Sequence, residues 1–81
     1  MRMVYVYILK SSVDLGFYIG ISNNLGARLI KHNQGGVQST KYRKPFELVY
    51  SEKFDNYSKA RFREKEIKSY KGGNKFKDLI D

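Results

Sequence analysis

Met3-Val4-Tyr5-Val6-Tyr7-Ile8-Leu9-Lys10, the turn Ser11-Ser12-Val13-Asp14-Leu15-Gly16 and then Phe17-Tyr18-Ile19-Gly20-Ile21-Ser22 form the stretch that decides the fold. In residues 3–10, Val4, Val6 and Ile8 fall on one face and Tyr5, Tyr7 and Leu9 on the other. This two-residue period, with apolar or aromatic groups on both faces, predicts a central strand covered on both sides. Turn formers follow, and Phe17 to Ser22 resumes the strand pattern, so the two runs are expected to pair as an antiparallel hairpin. In the second run Phe17, Ile19 and Ile21 share one face, and Tyr18 and Gly20 share the other.

Downstream, Asn23 or Asn24 is placed to cap a helix running to about Gln34, with Leu25 and Leu29 inward and Gly35-Gly36 ending it. Arg28 and His32, four residues apart, share a face of that helix. A polar stretch from Gln38 to Pro45 contains Lys41, Tyr42, Arg43 and Lys44, and Phe46 to Phe54 reads as a third strand. Asp55, Asn56 and Ser58 offer caps for a second long helix that ends before Gly72-Gly73, and Asn74 offers one for a short last helix through Leu79 and Ile80. The order strand, strand, helix, strand, helix, helix predicts one α+β domain over residues 1–81.

Composition narrows the function. Sixteen Lys and Arg against eight Asp and Glu leave a net charge of +8, a field that draws phosphate backbones or acidic membrane surfaces. The longest apolar run, Met3 to Leu9, is far below the roughly 20 residues that span a bilayer, and there is no leader pattern, so a cytoplasmic protein is expected. The absence of cysteine excludes a disulfide scaffold, a thiol nucleophile and a thiolate zinc site, and a single histidine excludes a multi-histidine metal site. Oxygen ligands remain, which suit magnesium or manganese.

One residue breaks the pattern of the second long helix. With Ala60 and Ile67 inward, Glu64 lies on the same face, where an unpaired carboxylate is costly. It therefore calls for a cationic partner among Arg61, Arg63, Lys65 and Lys68, for a metal, or for a cleft open to water. Glu66 faces away and reads as solvated surface. Arg28 can run its stem along the sheet or pair with an acidic neighbour. His32 can serve the helix terminus or reach a phosphate. Tyr5 and Tyr7 are, singly, ordinary strand aromatics.

Together these residues resemble the GIY-YIG nuclease family, in particular its small stand-alone branch and the N-terminal nuclease domain of the excision-repair subunit UvrC. The first motif stands here as Tyr5-Val6-Tyr7, keeping its final tyrosine, and the second is intact as Tyr18-Ile19-Gly20. Ten residues separate Tyr7 from Tyr18, Arg28 and His32 follow in the next helix, and Ala60 to Lys68 resembles the segment that carries the family's metal-binding glutamate. The resemblance implies a three-stranded antiparallel sheet flanked by helices, with the active site on one sheet face.

It further implies a metal-dependent endonuclease acting on DNA, with a single Mg2+ or Mn2+ held by Glu64. Arg28 would neutralise charge on the phosphoryl group, and Tyr7 would orient the attacking water and act as its base, with His32 assisting. The base role requires a lowered Tyr7 pKa. Tyr18 would support Tyr7 or bind phosphate, and Gly20 would let the backbone approach substrate. Tyr5, Lys41, Arg43, Lys44 and Lys68 are candidate substrate contacts. The lysine that many members carry after the second motif is replaced here by Ser22, Asn23 and Asn24, and Asn74, the counterpart of a later family asparagine, reads as a helix cap.

From Lys59 to Lys77 eight Lys and Arg face only Glu64 and Glu66. With the basic loop around Tyr42, this suits a phosphate backbone with an aromatic for an unstacked base, and DNA, branched or single-stranded, is the expected partner. The alternative is a nucleic-acid-binding module of the same fold with weak or no activity, and a partner protein for targeting is a further expectation.

Overall fold

Strand β1 (Val4–Ser11) is the middle of the sheet, as its two covered faces require, with β2 (Phe17–Ser22) on one side and β3 (Phe46–Phe54) on the other. Both pairings are antiparallel. In this computed structural model, which describes residues 3–81, helix α1 (Leu25–Asn33) lies between β2 and β3 in sequence. Helices α2 (Tyr57–Ser69) and α3 (Asn74–Ile80) follow β3. The architecture is the α+β arrangement β-β-α-β-α-α.

The hairpin turn is closed by Ser11, whose Oγ accepts from the amides of Val13 (3.0 Å) and Asp14 (3.3 Å). The resulting register sets Tyr7 opposite Gly20 and Leu9 opposite Tyr18. On the β3 side a bulge interrupts the pairing between Ile8 and Leu9, which face Tyr50 and Leu48. The extra residue puts Val49 and Tyr50, neighbours in sequence, both against the same apolar cluster.

The two faces of β1 bury different material. Val6 and Ile8 pack with Ala60 and Ile67 of α2 and Phe76 of α3, while Tyr7 and Leu9 pack with Phe46, Tyr18 and the α1 residues Leu25 and Leu29. The sheet is thus sandwiched between α1 and the α2–α3 pair. Two devices hold α1 down: Asn24 caps its start by accepting from Ala27 N (3.1 Å), and Asn33 clamps its end to β3 by accepting from Phe46 N (2.7 Å) and donating to Phe46 O (3.1 Å). Gly35, with φ of 78°, supplies the left-handed residue that ends the helix.

Two expectations need correction. Asn74 does not cap α3: Gly73 holds the cap position in extended conformation without a side-chain bond, and Asn74 is already the first helical residue. Glu66 is more than solvated surface, because Arg63 donates to it at 2.8 Å while also donating to both Glu52 oxygens at 3.1 Å. Tyr50 donates to Glu52 as well, so this network ties α2 to β3.

Candidate active site

The register that puts Tyr7 opposite Gly20 creates the centre of the site. A Cβ built on Gly20 would lie 2.5 Å from the Tyr7 hydroxyl oxygen and 2.6 Å from its Cζ, so the phenol lies across the bare glycine backbone. Gly20 therefore makes room for the Tyr7 ring.

Helix α1 brings two further groups to that phenol. Arg28 Nε donates to the Tyr7 oxygen at 3.3 Å, and His32 Nε2 lies 3.1 Å from the same atom. Tyr18 stacks alongside, its ring centroid 6.3 Å from that of Tyr7 and 4.8 Å from that of His32, with the histidine edge-on. His32 is fully buried.

The hydrogen-bond directions follow from Thr40, a buried loop residue. Its hydroxyl donates to the Val37 carbonyl (3.4 Å) and lies 2.8 Å from His32 Nδ1. With its proton so engaged, Thr40 Oγ1 accepts from Nδ1–H. His32 Nε2 is then the bare nitrogen, and the Tyr7 hydroxyl donates to it. Burial, then the positive charges of Arg28 and Lys31, hold the His32 pKa below its ordinary value, which favours a neutral ring.

Tyr7 itself runs against expectation. Burial pushes its pKa up, the Glu64 charge adds to the effect, and the Arg28 hydrogen bond and charge oppose it without prevailing. Tyr7 rests as a neutral phenol. The burial that aims the ring disfavours a standing phenolate.

Glu64 comes from α2, whose Ala60 and Ile67 are wholly buried against the opposite sheet face. Its side chain is 12% exposed and close enough for its charge to act on Tyr7. Lys68 Nζ lies 3.1 Å from one of its oxygens and Arg61 Nε 3.9 Å from the other. The carboxylate thus has cationic partners on a side chain that is not fully buried. Among the described residues no three His, Asp or Glu side chains cluster as a ready metal cage. A single carboxylate suits an ion such as Mg2+, which keeps waters and takes phosphate oxygens from substrate.

The other expected contacts are spread around this centre. Tyr5, half-buried, lines a polar groove of about 400 Å3 with Met3, Asn23 and Asn24. Lys41, directly after Thr40, lies over the exposed Tyr42 ring at 4.9 Å, and Lys44 is exposed. Arg43 is engaged elsewhere: its Nε donates to Asp14 at 2.6 Å, and its guanidinium sits 5.5 Å from the Phe46 ring centroid. That pairing holds the Asp14 carboxyl down at about 2. Lys68 is the partner of Glu64.

A family model described as the GIY-YIG catalytic domain matches residues 3–77. The chain belongs to the GIY-YIG family.

Bacterial relatives agree. A UPF0213 protein of Staphylococcus saprophyticus is 45% identical over 74 residues, covering 90% of this chain and 89% of the relative. One from Staphylococcus epidermidis is 46% identical with the same coverage. Among solved structures, the solution NMR structure of a UPF0213 protein from Bacillus halodurans superposes with a TM-score of 0.61 at 33% identity, covering 96% of this chain and 82% of that one. The order and sheet of this chain match the GIY-YIG fold.

Within this GIY-YIG chain, the residues that sequence reasoning missed are Thr40 and the clamp at Asn33. Thr40 is eight residues from His32 in an irregular loop, where no periodicity marks it. Its one signal is a small hydroxyl residue just before a basic run.

Proposed function

We propose that this GIY-YIG chain is an endonuclease that hydrolyses DNA phosphodiester bonds, with Tyr7 as general base and His32 as the acceptor that makes a buried phenol able to serve. The observation that carries this reading is the Tyr7 hydroxyl held between Arg28 Nε at 3.3 Å and His32 Nε2 at 3.1 Å. Because Tyr7 is neutral at rest, it passes its own proton to His32 Nε2 as it takes one from the attacking water. Arg28 holds the phenol oxygen during this exchange and carries permanent charge for the phosphoryl oxygens.

Glu64 is the residue to hold a divalent ion, Mg2+ or Mn2+, which when bound supplies charge neutralisation at the phosphate and leaving oxygen. Lys68 and Arg61, which neutralise Glu64 in this structure, would be released to contact phosphates. Lys41, Lys44 and the Tyr5 groove supply the flanking strand contacts, with the net charge of +8 drawing the polyanion in.

The test is cleavage of supercoiled, branched and single-stranded DNA by the pure protein with Mg2+ or Mn2+. Glu64→Ala is expected to abolish it and Tyr7→Phe to lower it severely, and cleavage that persists unchanged in Glu64→Ala overturns the assignment. The ion pairing of Glu64 favours one second reading, a binding module without turnover. Salt-sensitive DNA binding with no cleavage under either metal would select it.

A further inference from the structure

The outer face of α2 carries aromatic surface that the fold does not use. Phe62 is 75% exposed and Tyr57 57% exposed. By helical spacing Phe62 lies away from the buried Ala60 and Ile67. Its ring forms a ridge between two grooves: one of about 470 Å3 with Phe54 and Ser58, another of about 380 Å3 with Tyr57 and Ser58. An exposed Phe costs nothing unusual alone, but two exposed aromatics beside paired grooves form an apolar patch.

The rim identifies the occupant by charge. Lys59, Arg61 and Lys65 border the grooves. The carboxylate there, Glu66, is already taken by Arg63 at 2.8 Å. Flat aromatic rings with cations on both sides match a strand that offers phosphates and an unstacked base. A duplex offers the phosphates but hides the base faces. Arg61 also lies 3.9 Å from Glu64, so a strand crossing the candidate active site continues onto this face without a break in positive charge.

We propose that the Phe62 face of α2 is a second nucleic-acid site that stacks an unpaired base of the strand whose backbone passes Glu64. This selects DNA with a single-stranded segment next to the cleavage point. The proposal rests on the nucleic-acid reading above, but its test does not depend on turnover.

The chain has no tryptophan, so Phe62→Trp installs a unique fluorophore that keeps the stacking surface. In the Glu64→Ala background, a thymidine oligonucleotide is expected to quench that fluorescence, whereas a blunt duplex of equal length leaves it unchanged. Phe62→Leu, which keeps an apolar side chain without the ring, is expected to weaken single-strand binding about tenfold and leave duplex binding as it was. Circular dichroism of each variant checks that the fold is intact. Absence of quenching, or equal losses for both DNA forms, overturns the proposal. So does a change of molar mass in light scattering on Phe62→Leu, which would assign the patch to a second copy of the chain. Quenching by single strands in a protein that cleaves nothing would leave this site standing and remove the endonuclease assignment alone.

Discussion

The two faces of β1 are made by alternate residues of one strand, yet they do opposite work. Val6 and Ile8 pack in an apolar cluster with Ala60, Ile67 and Phe76, where apolar side chains of similar volume are tolerated best. Tyr7 meets a phenol-sized gap over Gly20, a guanidinium and an imidazole whose tautomer is set by Thr40. Among the described residues no buried side-chain nitrogen or oxygen lacks a partner, so the polar face is fully wired and tolerates no loose member. Both faces bury apolar groups, but the Tyr7 face also has to hold a fixed polar geometry.

Substitutions separate the two faces. Tyr7→Phe is expected to lower DNA cleavage by about 100- to 10,000-fold, the range for a lost general base. Its cost in stability should be about 1–3 kcal/mol by urea denaturation, because Arg28 retains access to water but the buried His32 Nε2 loses its donor. Phe76→Ala on the other face should do the reverse, removing about 3 kcal/mol or more of stability while cleavage per folded molecule is kept. Phe76 packs edge-on against Phe17 at 5.0 Å and belongs to the cluster of Val6 and Ile8, not to the one that holds Tyr7. If Phe76→Ala were to damage turnover as much as Tyr7→Phe, the division between the faces would not hold.

Gly20→Ala sharpens the comparison because it strikes the polar face through packing. A methyl group placed 2.5 Å from the Tyr7 oxygen must expel the ring. A loss of about 1–3 kcal/mol and a cleavage defect close to that of Tyr7→Phe are expected. In a Tyr7→Leu background the clash is gone, so the same glycine substitution should cost much less. Additive effects in that cycle would disprove the contact.

Much of this was legible in the chain because β1 and β2 announce themselves by period and the helix ends by their capping residues, although only the structure selects Asn24 over Asn23 and Asn56 over Asp55 and Ser58. The inward position of Glu64 followed from its spacing to Ala60 and Ile67. The wiring between elements was not legible. Gly20 opposite Tyr7 depends on strand register, Thr40 under His32 on the path of an irregular loop, and Arg43 on Asp14 across 29 residues. The direction of the Tyr7 pKa was hidden for a related reason. Proximity to arginine suggests a lowered value, and only the depth of the phenol shows that burial wins.

Thr40→Val keeps shape and removes the hydroxyl that fixes His32. Cleavage is expected to fall about tenfold and the 15N shifts of His32 to report a mixed tautomer, with Thr40→Ser restoring both. An unchanged tautomer in Thr40→Val would show that burial alone orients the ring.

The smallest effect belongs to the proton that His32 refuses. Its folded pKa lies below the ordinary 6.5, held there by burial and by Arg28 and Lys31. As pH falls through 6.5 the unfolded chain binds a proton that the folded chain does not, so stability must decline with falling pH until the folded value is reached, and no further from this group. The Asp14 carboxyl acts in a separate window: its folded value of about 2 against 3.8 means that its contribution, present above the higher value, is lost only as pH drops toward the lower one. Urea midpoints measured from pH 7.5 downward should therefore show a first decline in the wild type that His32→Gln removes. Asp14→Asn should leave that decline intact. A first decline that survives His32→Gln would place its origin outside the polar face of β1.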